Sequence, residues 1–460
     1  MPRATVVINV VGLSSSLFGE RTPNLNRFIG EEYLRRIEPV LPAVTCSVQS
    51  SMVTGLHPRE HGIVGNGWYN REMAEIQFWK QSNHLVKGEK VWEAARNRDS
   101  SVTCSKMFWW YNMYSSTDYS VTPRPIYKAD GRKLPDCYSH PSELRDRLQA
   151  ELGTFPLFKF WGPAASIESS KWIAEASMKV HEWKNPTLTL IYLPHLDYGL
   201  QKLGPDHPEI PNAVAEIDEV VGKLIDFYRD RGVRILILSE YGIESVNRPI
   251  EVNRALRRAG LIHIREEEGH ELLDAGASRA FAVADHQVAH VYVKSPNHLD
   301  AAREVLGGLA GVAQCLDRDE QNELGIDHQR SGDLVLVAEK GAWFNYHYWL
   351  DDRRAPDFAR TVDIHRKPGY DPLELYVDPE ISLPWLKIGG YLLKKKLGLR
   401  GLLEVIPLDP SLLKGSHGRA IENPELHPVL IGDKEILPPK DAVHCTEIKE
   451  IVLKSLFGEA

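Results

Sequence analysis

The apolar residues of this chain form two patterns that alternate along its length. Residues 6–11, 188–193 and 233–238 are almost continuously apolar, which is typical of strands buried on both faces of a parallel sheet. Residues 213–230 instead space their apolar side chains three and four positions apart and end at Gly232, which predicts an amphipathic helix. The alternation predicts an α/β fold with a mostly parallel central sheet and helices on both faces.

Turn and capping signals add further elements to this pattern. A threonine followed by proline predicts that a helix opens at residues 22–25. Another helix is predicted at residues 47–53, closed by Thr54 and Gly55. The remaining patterns predict one further helix at residues 248–260 and two strands at residues 280–283 and 290–293.

Two aromatic-rich regions, residues 67–165 and 343–376, interrupt the alternation. We interpret them as insertions, at about 67–165 and 343–410, that form a cap on a single domain spanning residues 1–460. Their aromatic side chains either wall a pocket beside the site or form the core of a small subdomain. The two interpretations are compatible.

Residues 387–406 mix lysine and arginine with leucine. A helix of this composition either lies on a membrane surface or is a solvated amphipathic helix on the protein body. No apolar run reaches the roughly 18 residues that a membrane span needs. The initial Met-Pro-Arg leads directly into a predicted strand, so we also expect no signal peptide.

The composition narrows the classes of function. The 460 residues carry a net charge of −8, which argues against a general nucleic-acid binder. A small phosphorylated substrate remains compatible with this charge, because a metal site can supply local positive charge. The five scattered cysteines form no CxxC pair, which favours free thiols and a cytoplasmic location: Cys46, Cys104, Cys137, Cys315 and Cys445. The oligomeric state is left open.

Four segments carry the candidate chemistry. The first includes Pro-Ala-Val-Thr-Cys-Ser (42–47) and Met-Val-Thr-Gly-Leu-His-Pro-Arg-Glu-His-Gly-Ile-Val-Gly-Asn (52–66). The others are Leu-Pro-His-Leu-Asp-Tyr-Gly-Leu-Gln-Lys-Leu-Gly-Pro (193–205), Leu-Ser-Glu-Tyr-Gly (238–242) and Gly-Ser-His-Gly (415–418). Together they resemble the alkaline phosphatase superfamily, and most closely its nucleotide pyrophosphatase/phosphodiesterase branch, in a bacterial subgroup with altered metal ligands.

Thr45 stands at the nucleophile position of the family pattern, nine residues before Thr54. A hydroxyl at a helix N-terminus is well placed to stabilise an anion, although threonine there also serves as a plain helix cap. The family usually has asparagine three residues after the nucleophile, where this chain has Val48. The candidate substrate-binding residues are Gln49, Asn66 and Tyr241.

The resemblance also implies divalent metal ions, held by aspartate, histidine and the nucleophile. Asp197 and His417 stand at ligand positions of the family pattern, and Glu240 replaces a ligand aspartate by a longer carboxylate. Oxygen and imidazole ligands at the ends of parallel strands suit Zn²⁺ or Mn²⁺. We therefore expect one or two such ions in each chain.

Other ligand positions carry replacements. Gln201 and Tyr241 stand where the family has histidine, and Val11 stands where it has aspartate. Asn9 lies on the same strand face as Val11 and offers a neutral oxygen, so it is also a candidate ligand. Further candidates that would compensate for the missing imidazoles are Asp285, His286, Asp363 and His365.

Two hypotheses follow from these residues. The first is a metal-dependent hydrolase of phosphodiester or phosphomonoester bonds that works through a phospho-threonine intermediate. The second is a metal-poor family member that binds a phosphorylated or polar ligand without hydrolysis, or that transfers a phosphoryl group to an alcohol. The lost imidazole ligands motivate the second hypothesis.

Overall fold

The computed structural model describes residues 2–458, and its largest element is a nine-stranded mixed sheet. In chain order its strands are β1 Thr5–Val10, β2 Tyr33–Glu38, β3 Cys104–Met107, β4 Tyr119–Pro123, β5 Cys137–His140, β6 Leu188–Leu193, β7 Arg234–Leu238, β8 Val429–Gly432 and β9 Ala442–His444. Across the sheet they are ordered β9-β2-β8-β7-β1-β6-β3-β4-β5. The run from β7 to β4 is parallel, whereas β8 and β5 are antiparallel to their neighbours.

The three strands that the apolar runs predict form the centre of this sheet. β1 pairs in parallel with β6 on one side and with β7 on the other. All six residues of β1 and of β6 are buried, because side chains on both faces of these strands are covered. The predicted α/β fold with a mostly parallel central sheet is confirmed.

The α-helices connect and cover these strands. They are α1 Pro23–Glu31, α2 Thr45–Thr54, α3 Pro58–His61, α4 Val91–Arg98, α5 Glu143–Leu152, α6 Leu157–Phe160, α7 Ile167–Lys184, α8 His195–Leu203, α9 Ile210–Arg229, α10 Val252–Arg258, α11 Leu299–Gly307, α12 Arg318–Glu323, α13 Pro384–Lys396 and α14 Ile448–Phe457. Within residues 2–458, no helix combines the length and the apolar character that crossing a bilayer requires.

A second, antiparallel sheet lies outside the central one. Its strands are ordered Ala280–Asp285, Val288–Val293, Leu334–Ala338 and Val312–Leu316. The predicted strands near 280 and 290 therefore exist but do not join the parallel sheet, because only a two-residue turn separates them and they form a hairpin. Five further two-stranded pairs are Gly67–Asn70 with Glu75–Phe78, Ile126–Tyr127 with Lys133–Leu134, Glu244–Ser245 with Gly415–Ser416, Arg248–Ile250 with Ala342–Phe344, and Ile264–Glu267 with His270–Leu273.

Three predicted boundaries need correction. The helix predicted at 248–260 is shorter, because Arg248–Ile250 forms a strand and only the residues from Val252 onward are helical. The helix predicted at 47–53 begins two residues earlier. The region 67–165 is not an insertion throughout, because its residues 104–140 supply β3, β4 and β5 to the central sheet. The single-domain assignment stays a prediction.

Most of the aromatic side chains in the two aromatic-rich regions belong to hydrophobic cores. Trp92 and Trp109 are buried in the cluster around the central sheet, and Tyr346 and Trp349 in the cluster around the second sheet. A small cavity nevertheless lies between the two regions, and most of its lining residues are aromatic or charged: Trp79, Trp161, Ile364, Lys367, Gly369, Tyr370, Asp371 and Glu374. The aromatic residues of these regions thus contribute both to the hydrophobic cores and to the lining of this cavity.

Lys106 is a charged side chain inside the sheet. It lies in β3, its ammonium group donates to the carbonyl oxygens of Trp110 (2.8 Å) and Tyr111 (2.9 Å), and it lies 5.0 Å from the ring of Trp92. Burial lowers the pKa of Lys106 to about 7, because the charged form loses its hydration. An unfolded chain would bind this proton up to a pH of about 10.4.

This depressed pKa predicts a specific pH dependence of stability. Between the folded and the unfolded pKa, the unfolded chain binds more protons, so the contribution of Lys106 to the free energy of unfolding rises with pH. Between pH 7 and pH 9.5 we expect the free energy of unfolding of the wild type to rise by roughly 3 kcal/mol more than that of Lys106→Met, since one pKa unit is worth about 1.4 kcal/mol. Urea unfolding of both proteins across this range measures the difference, and parallel pH profiles would contradict the assignment.

Candidate active site

The candidate residues meet at one edge of the central sheet. β7, β1 and β6 are parallel neighbours, so their carboxyl ends lie side by side. Asn9 lies near the end of β1, Glu240 and Tyr241 follow β7, and Asp197 lies in the first turn of α8 after β6. This is the edge at which open α/β sheets form ligand crevices.

Thr45 faces this edge from the N-terminus of α2. It is the first residue of that helix rather than a residue ahead of it, and all ten residues of α2 are buried. The Thr45 hydroxyl lies 3.0 Å from the Tyr241 hydroxyl, and it is near enough to the Glu240 carboxyl group to help lower the pKa of that group. The structure therefore brings the predicted nucleophile close to two of the predicted site residues.

Glu240 is a buried carboxyl group held by amides. Its Oε1 accepts hydrogen bonds from the side-chain amides of Asn9 and Gln49, each at 2.5 Å. The Gln49 carbonyl oxygen in turn accepts from the backbone N–H of Trp110 at 2.8 Å, which orients the amide. Burial raises the pKa of Glu240 to about 8, although its hydrogen bonds partly oppose the shift.

Asp197 forms a second buried carboxyl group on the other side of Tyr241. The Tyr241 hydroxyl donates to Asp197 Oδ1 at 3.2 Å, and the Gln201 amide donates to Asp197 Oδ2 at 2.8 Å. The Gln201 carbonyl oxygen accepts from the Tyr370 hydroxyl at 2.8 Å. Burial raises the pKa of Asp197 to about 7.

His417 completes the group from the late part of the chain. Its Nδ1 bonds to the carbonyl oxygen of Ala43 at 2.8 Å, so Nδ1 carries the proton and Nε2 keeps its lone pair. Nε2 lies 3.7 Å from Asp197 Oδ1, and the ring stacks on Tyr241 with 3.6 Å between centroids. Gly415 permits this placement, because a Cβ there would lie 2.1 Å from the carbonyl oxygen of Leu200.

Asn66, Asp285 and His286 form a linked group beside the helix N-terminus. Asn66 Oδ1 accepts the backbone N–H of Cys46, while Asp285 accepts from the backbone and side-chain N–H groups of Asn66. His286 Nδ1 lies 2.8 Å from Asp285 Oδ1, and its ring lies 3.9 Å from that of His417. These residues thus position the start of α2.

Asp363 and His365 do not join this network, contrary to the sequence prediction. The His365 ring bonds to the carbonyl oxygen of Phe78, and Asp363 forms an ion pair with Arg366 at 3.0 Å. Both therefore have their polar contacts away from Thr45. An Asp-x-His sequence in a loop does not determine where its side chains point.

Sequence reasoning missed Tyr370. Its hydroxyl holds Gln201, its ring stacks on His286 at 3.7 Å, and it lines the aromatic cavity described above. The segment Lys-Pro-Gly-Tyr-Asp around it was a usable signal, because Gly369 allows a close approach: a Cβ there would lie 2.4 Å from Tyr346. Tyr370 therefore connects the site to the cavity.

The buried polar atoms of the site determine whether divalent metal ions fit it. Asn9 Oδ1, Glu240 Oε2 and His417 Nε2 are buried acceptors without a hydrogen-bond donor in the described part of the chain, which favours a cation. Within residues 2–458, however, no group of three or more His, Cys, Asp or Glu side chains is placed to hold a metal. Burial also raises the pKa of Tyr241 well above its usual value, so it stays neutral and is a poor ligand. The buried acceptors therefore fit a cation, although the described residues provide no group of three carboxylate, imidazole or thiol ligands to hold it.

Comparison with known proteins identifies relatives of this chain. The family described as Type I phosphodiesterase / nucleotide pyrophosphatase matches residues 5–371. An uncharacterized pyrophosphatase/phosphodiesterase of Schizosaccharomyces pombe is 26% identical over 275 residues, which cover 56% of this chain and 49% of that protein. Ectonucleotide pyrophosphatase/phosphodiesterase family member 1 of Rattus norvegicus is 24% identical over 220 residues, 46% of this chain and 20% of that protein. The match thus spans about half the length of the yeast relative.

Solved structures show the same fold at lower identity. Inactive murine ectonucleotide pyrophosphatase/phosphodiesterase 5, in complex with AMP, gives a TM-score of 0.59 at 14% identity, covering 100% of this chain and 96% of that one. Phosphonoacetate hydrolase from Sinorhizobium meliloti 1021, in complex with phosphonoformate, gives a TM-score of 0.60 at 14% identity. The match covers 99% of this chain and 96% of that one. The fold is alkaline-phosphatase-like, and because the family match covers most of the sequence, the chain belongs to the type I phosphodiesterase/nucleotide pyrophosphatase family.

Proposed function

We propose that this protein hydrolyses phosphodiester or phosphomonoester bonds through a covalent intermediate on Thr45. The observation that carries the proposal is the position of the Thr45 hydroxyl. It lies at the N-terminus of a buried helix, 3.0 Å from the Tyr241 hydroxyl and near the Glu240 carboxyl group. A nucleophilic hydroxyl needs a base within hydrogen-bond reach and positive potential for the attacked group, and this position offers both.

The proposed reaction has two steps. Thr45 Oγ1 attacks phosphorus, its proton passes to the Glu240 carboxylate, and the bond to the leaving oxygen breaks. A leaving group of low pKa departs as an anion with the bonding electron pair. Water then attacks the phospho-threonine and the Thr45–phosphorus bond breaks. The proton held by Glu240 passes to the departing Thr45 oxygen, and the surplus proton of the attacking water leaves to solvent from the phosphate product. Proton transfer is most efficient when the pKa of the transferring group lies close to the working pH, and the pKa of Glu240 is about 8.

Other side chains orient the group during both steps. Tyr241 bridges the Thr45 hydroxyl and Asp197, so it restrains the nucleophile without ionising. Asn9 and Gln49 hold the Glu240 carboxyl group in place. Gln49, Asn66 and Tyr241, predicted as substrate-binding residues, all lie within this network and have amide or hydroxyl groups that suit phosphoryl oxygens.

The proposed metal content is one divalent ion, Zn²⁺ or Mn²⁺, held by Asp197 and His417. When bound, the ion would supply positive charge for the phosphoryl oxygens. We expect equilibrium dialysis to find about one ion per chain for the wild type and essentially none for His417→Ala, because imidazole is its nitrogen ligand. The exposed His84→Ala is the matched control and should bind as the wild type does. Two ions per chain would contradict the proposal.

The covalent step can be tested directly. The full chain is mixed with an aryl phosphodiester, quenched in acid within the first turnover, and digested for mass spectrometry. The proposal expects a phosphoryl adduct on the peptide that contains Thr45. The intermediate would be refuted if the enzyme turned over steadily while the phosphoryl adduct lay on a different residue or no adduct formed.

A non-hydrolytic role remains the second candidate. The observation that favours it is the lack of a three-residue carboxylate and imidazole group within residues 2–458. In that case the protein would bind AMP or inorganic phosphate, measured by calorimetry, without releasing product. Phosphoryl transfer to an added alcohol, detected as a new phosphate ester, would identify a transferase.

The expected substrates and location follow from the same features. The relatives of known structure are described with AMP and with phosphonoformate, which supports a small phosphorylated or phosphonate substrate. All five cysteines are free thiols, which supports a reducing compartment such as the cytoplasm.

A further inference from the structure

The surface formed by residues 383–402, here called the α13 surface, is unusually apolar. Helix α13 has no buried residue. Half of the sixteen large hydrophobic side chains that are exposed within residues 2–458 lie on this surface, so they mark it as an interaction site. They are Leu383, Trp385, Leu386, Leu392, Leu393, Leu397, Leu399 and Leu402, with exposed fractions of 50% to 66%.

The helix is attached so that its apolar side faces outward. Lys395 donates to the carbonyl oxygen of Lys133 at 3.1 Å, which ties its side of the helix to the protein body. Ile388 lies on the same side and packs against the buried cluster of Leu373, Val405 and Ile406. At 100° per residue, Leu386 and Leu393 lie on the side opposite Ile388 and Lys395. A solvated amphipathic helix has the reverse arrangement, with polar residues outward.

Positive charge accompanies the exposed apolar residues. The α13 surface contains five basic residues and no acidic one, although the whole chain carries a net charge of −8. Four of the five are exposed, and none of these four pairs with a carboxylate in the part of the chain that is described: Lys387, Lys394, Lys396 and Arg400. Tryptophan and leucine beside unpaired lysine is the composition of helices that lie in the lipid interface.

We propose that the α13 surface docks on an anionic phospholipid bilayer. Trp385 and the exposed leucines would enter the boundary between headgroups and acyl chains, while the lysines would contact lipid phosphates. A second copy of the chain fits less well, because a two-fold contact would bring together two surfaces that each carry positive charge and no acidic residue. This inference is independent of the proposed hydrolysis.

Vesicle co-sedimentation of the full chain tests the proposal. We expect sedimentation with phosphatidylcholine vesicles that contain phosphatidylglycerol, and little with phosphatidylcholine alone. The variant Leu386→Ser/Leu393→Ser should lower partitioning at least tenfold, and Lys394→Glu/Lys396→Glu should abolish the preference for anionic lipid. The matched control is Met73→Ser, which replaces an exposed apolar residue elsewhere and should leave partitioning unchanged.

Three outcomes would overturn the proposal. One is the absence of sedimentation with anionic vesicles, and another is equal binding by wild type and both surface variants. The third is a dimer in sedimentation velocity that the leucine variant loses, which would assign the surface to a second copy. Circular dichroism checks that each variant folds. If the leucine variant fails to fold, the lysine variant still tests the proposal, because it changes only exposed side chains.

Discussion

Thr45→Ala is expected to lower kcat/KM for an aryl phosphodiester by about a thousandfold or more, which is the scale on which loss of a nucleophile acts. The fold should survive, because the change removes one hydroxyl and one methyl group from a buried helix start. Its hydrogen bond with Tyr241 contributes only about 1 kcal/mol to stability. Initial rates and urea unfolding of the same preparation separate the two effects.

Two control variants make this result specific to the nucleophile. Thr45→Ser keeps the hydroxyl and should retain measurable turnover with the same covalent adduct. Thr54→Ala removes a hydroxyl from the other end of α2 and should leave kcat/KM nearly unchanged. Among residues 2–458 this hydroxyl bonds only to the carbonyl oxygen of Ser50 and the backbone N–H of Leu56. Normal turnover by Thr45→Ala would remove the proposed mechanism.

Lys367→Met is expected to lower the free energy of unfolding by about 3 to 5 kcal/mol, as is typical when one partner of a buried ion pair is removed. The Lys367 ammonium group lies 2.7 Å from both Asp371 and Glu374, and all three side chains are almost fully buried. Glu374 also accepts from the indole of Trp161 at 2.5 Å. Without Lys367 the two buried carboxyl groups would lose the cation that contacts both of them, so urea unfolding should reveal a large loss.

The matched control is Lys387→Met, an exposed lysine that should change stability by no more than about 0.5 kcal/mol. A loss below about 1 kcal/mol for Lys367→Met would show that the carboxyl groups are neutral or hydrated in solution. The same variant reports on the site, because Lys367 and Tyr370 line one cavity. If Lys367→Met raised KM by a larger factor than it lowered kcat, the residues that line this cavity would contribute to substrate binding.

The sequence predicted the centre of the fold better than its edges. β1, β6 and β7 are apolar throughout and buried, so their composition reports their position directly. The strand β3 reads Cys-Ser-Lys-Met, and nothing in that composition indicates a sheet. Lys106 is accommodated there by backbone carbonyl oxygens that only the folded chain supplies.

The same contrast holds at the site. Thr45, Asp197, Glu240, Gln201 and His417 were predicted from motifs, and the structure brings them into one hydrogen-bonded and stacked group. Short pairs without a motif were less informative, because Asp285 and His286 lie beside the site whereas Asp363 and His365 do not. Spacing within a few residues does not fix the direction of a loop side chain.

The sequence by itself determined the family, the central strands and the residue types gathered at the site, because local periodicity and motif spacing report these features. Only the tertiary structure decided which atoms pair. It aims the protonated nitrogen of His417 at Ala43, places Tyr241 between Thr45 and Asp197, and leaves acceptor atoms without donors. Such pairing depends on distances between segments that lie 44 to 374 residues apart, and no local pattern encodes those distances.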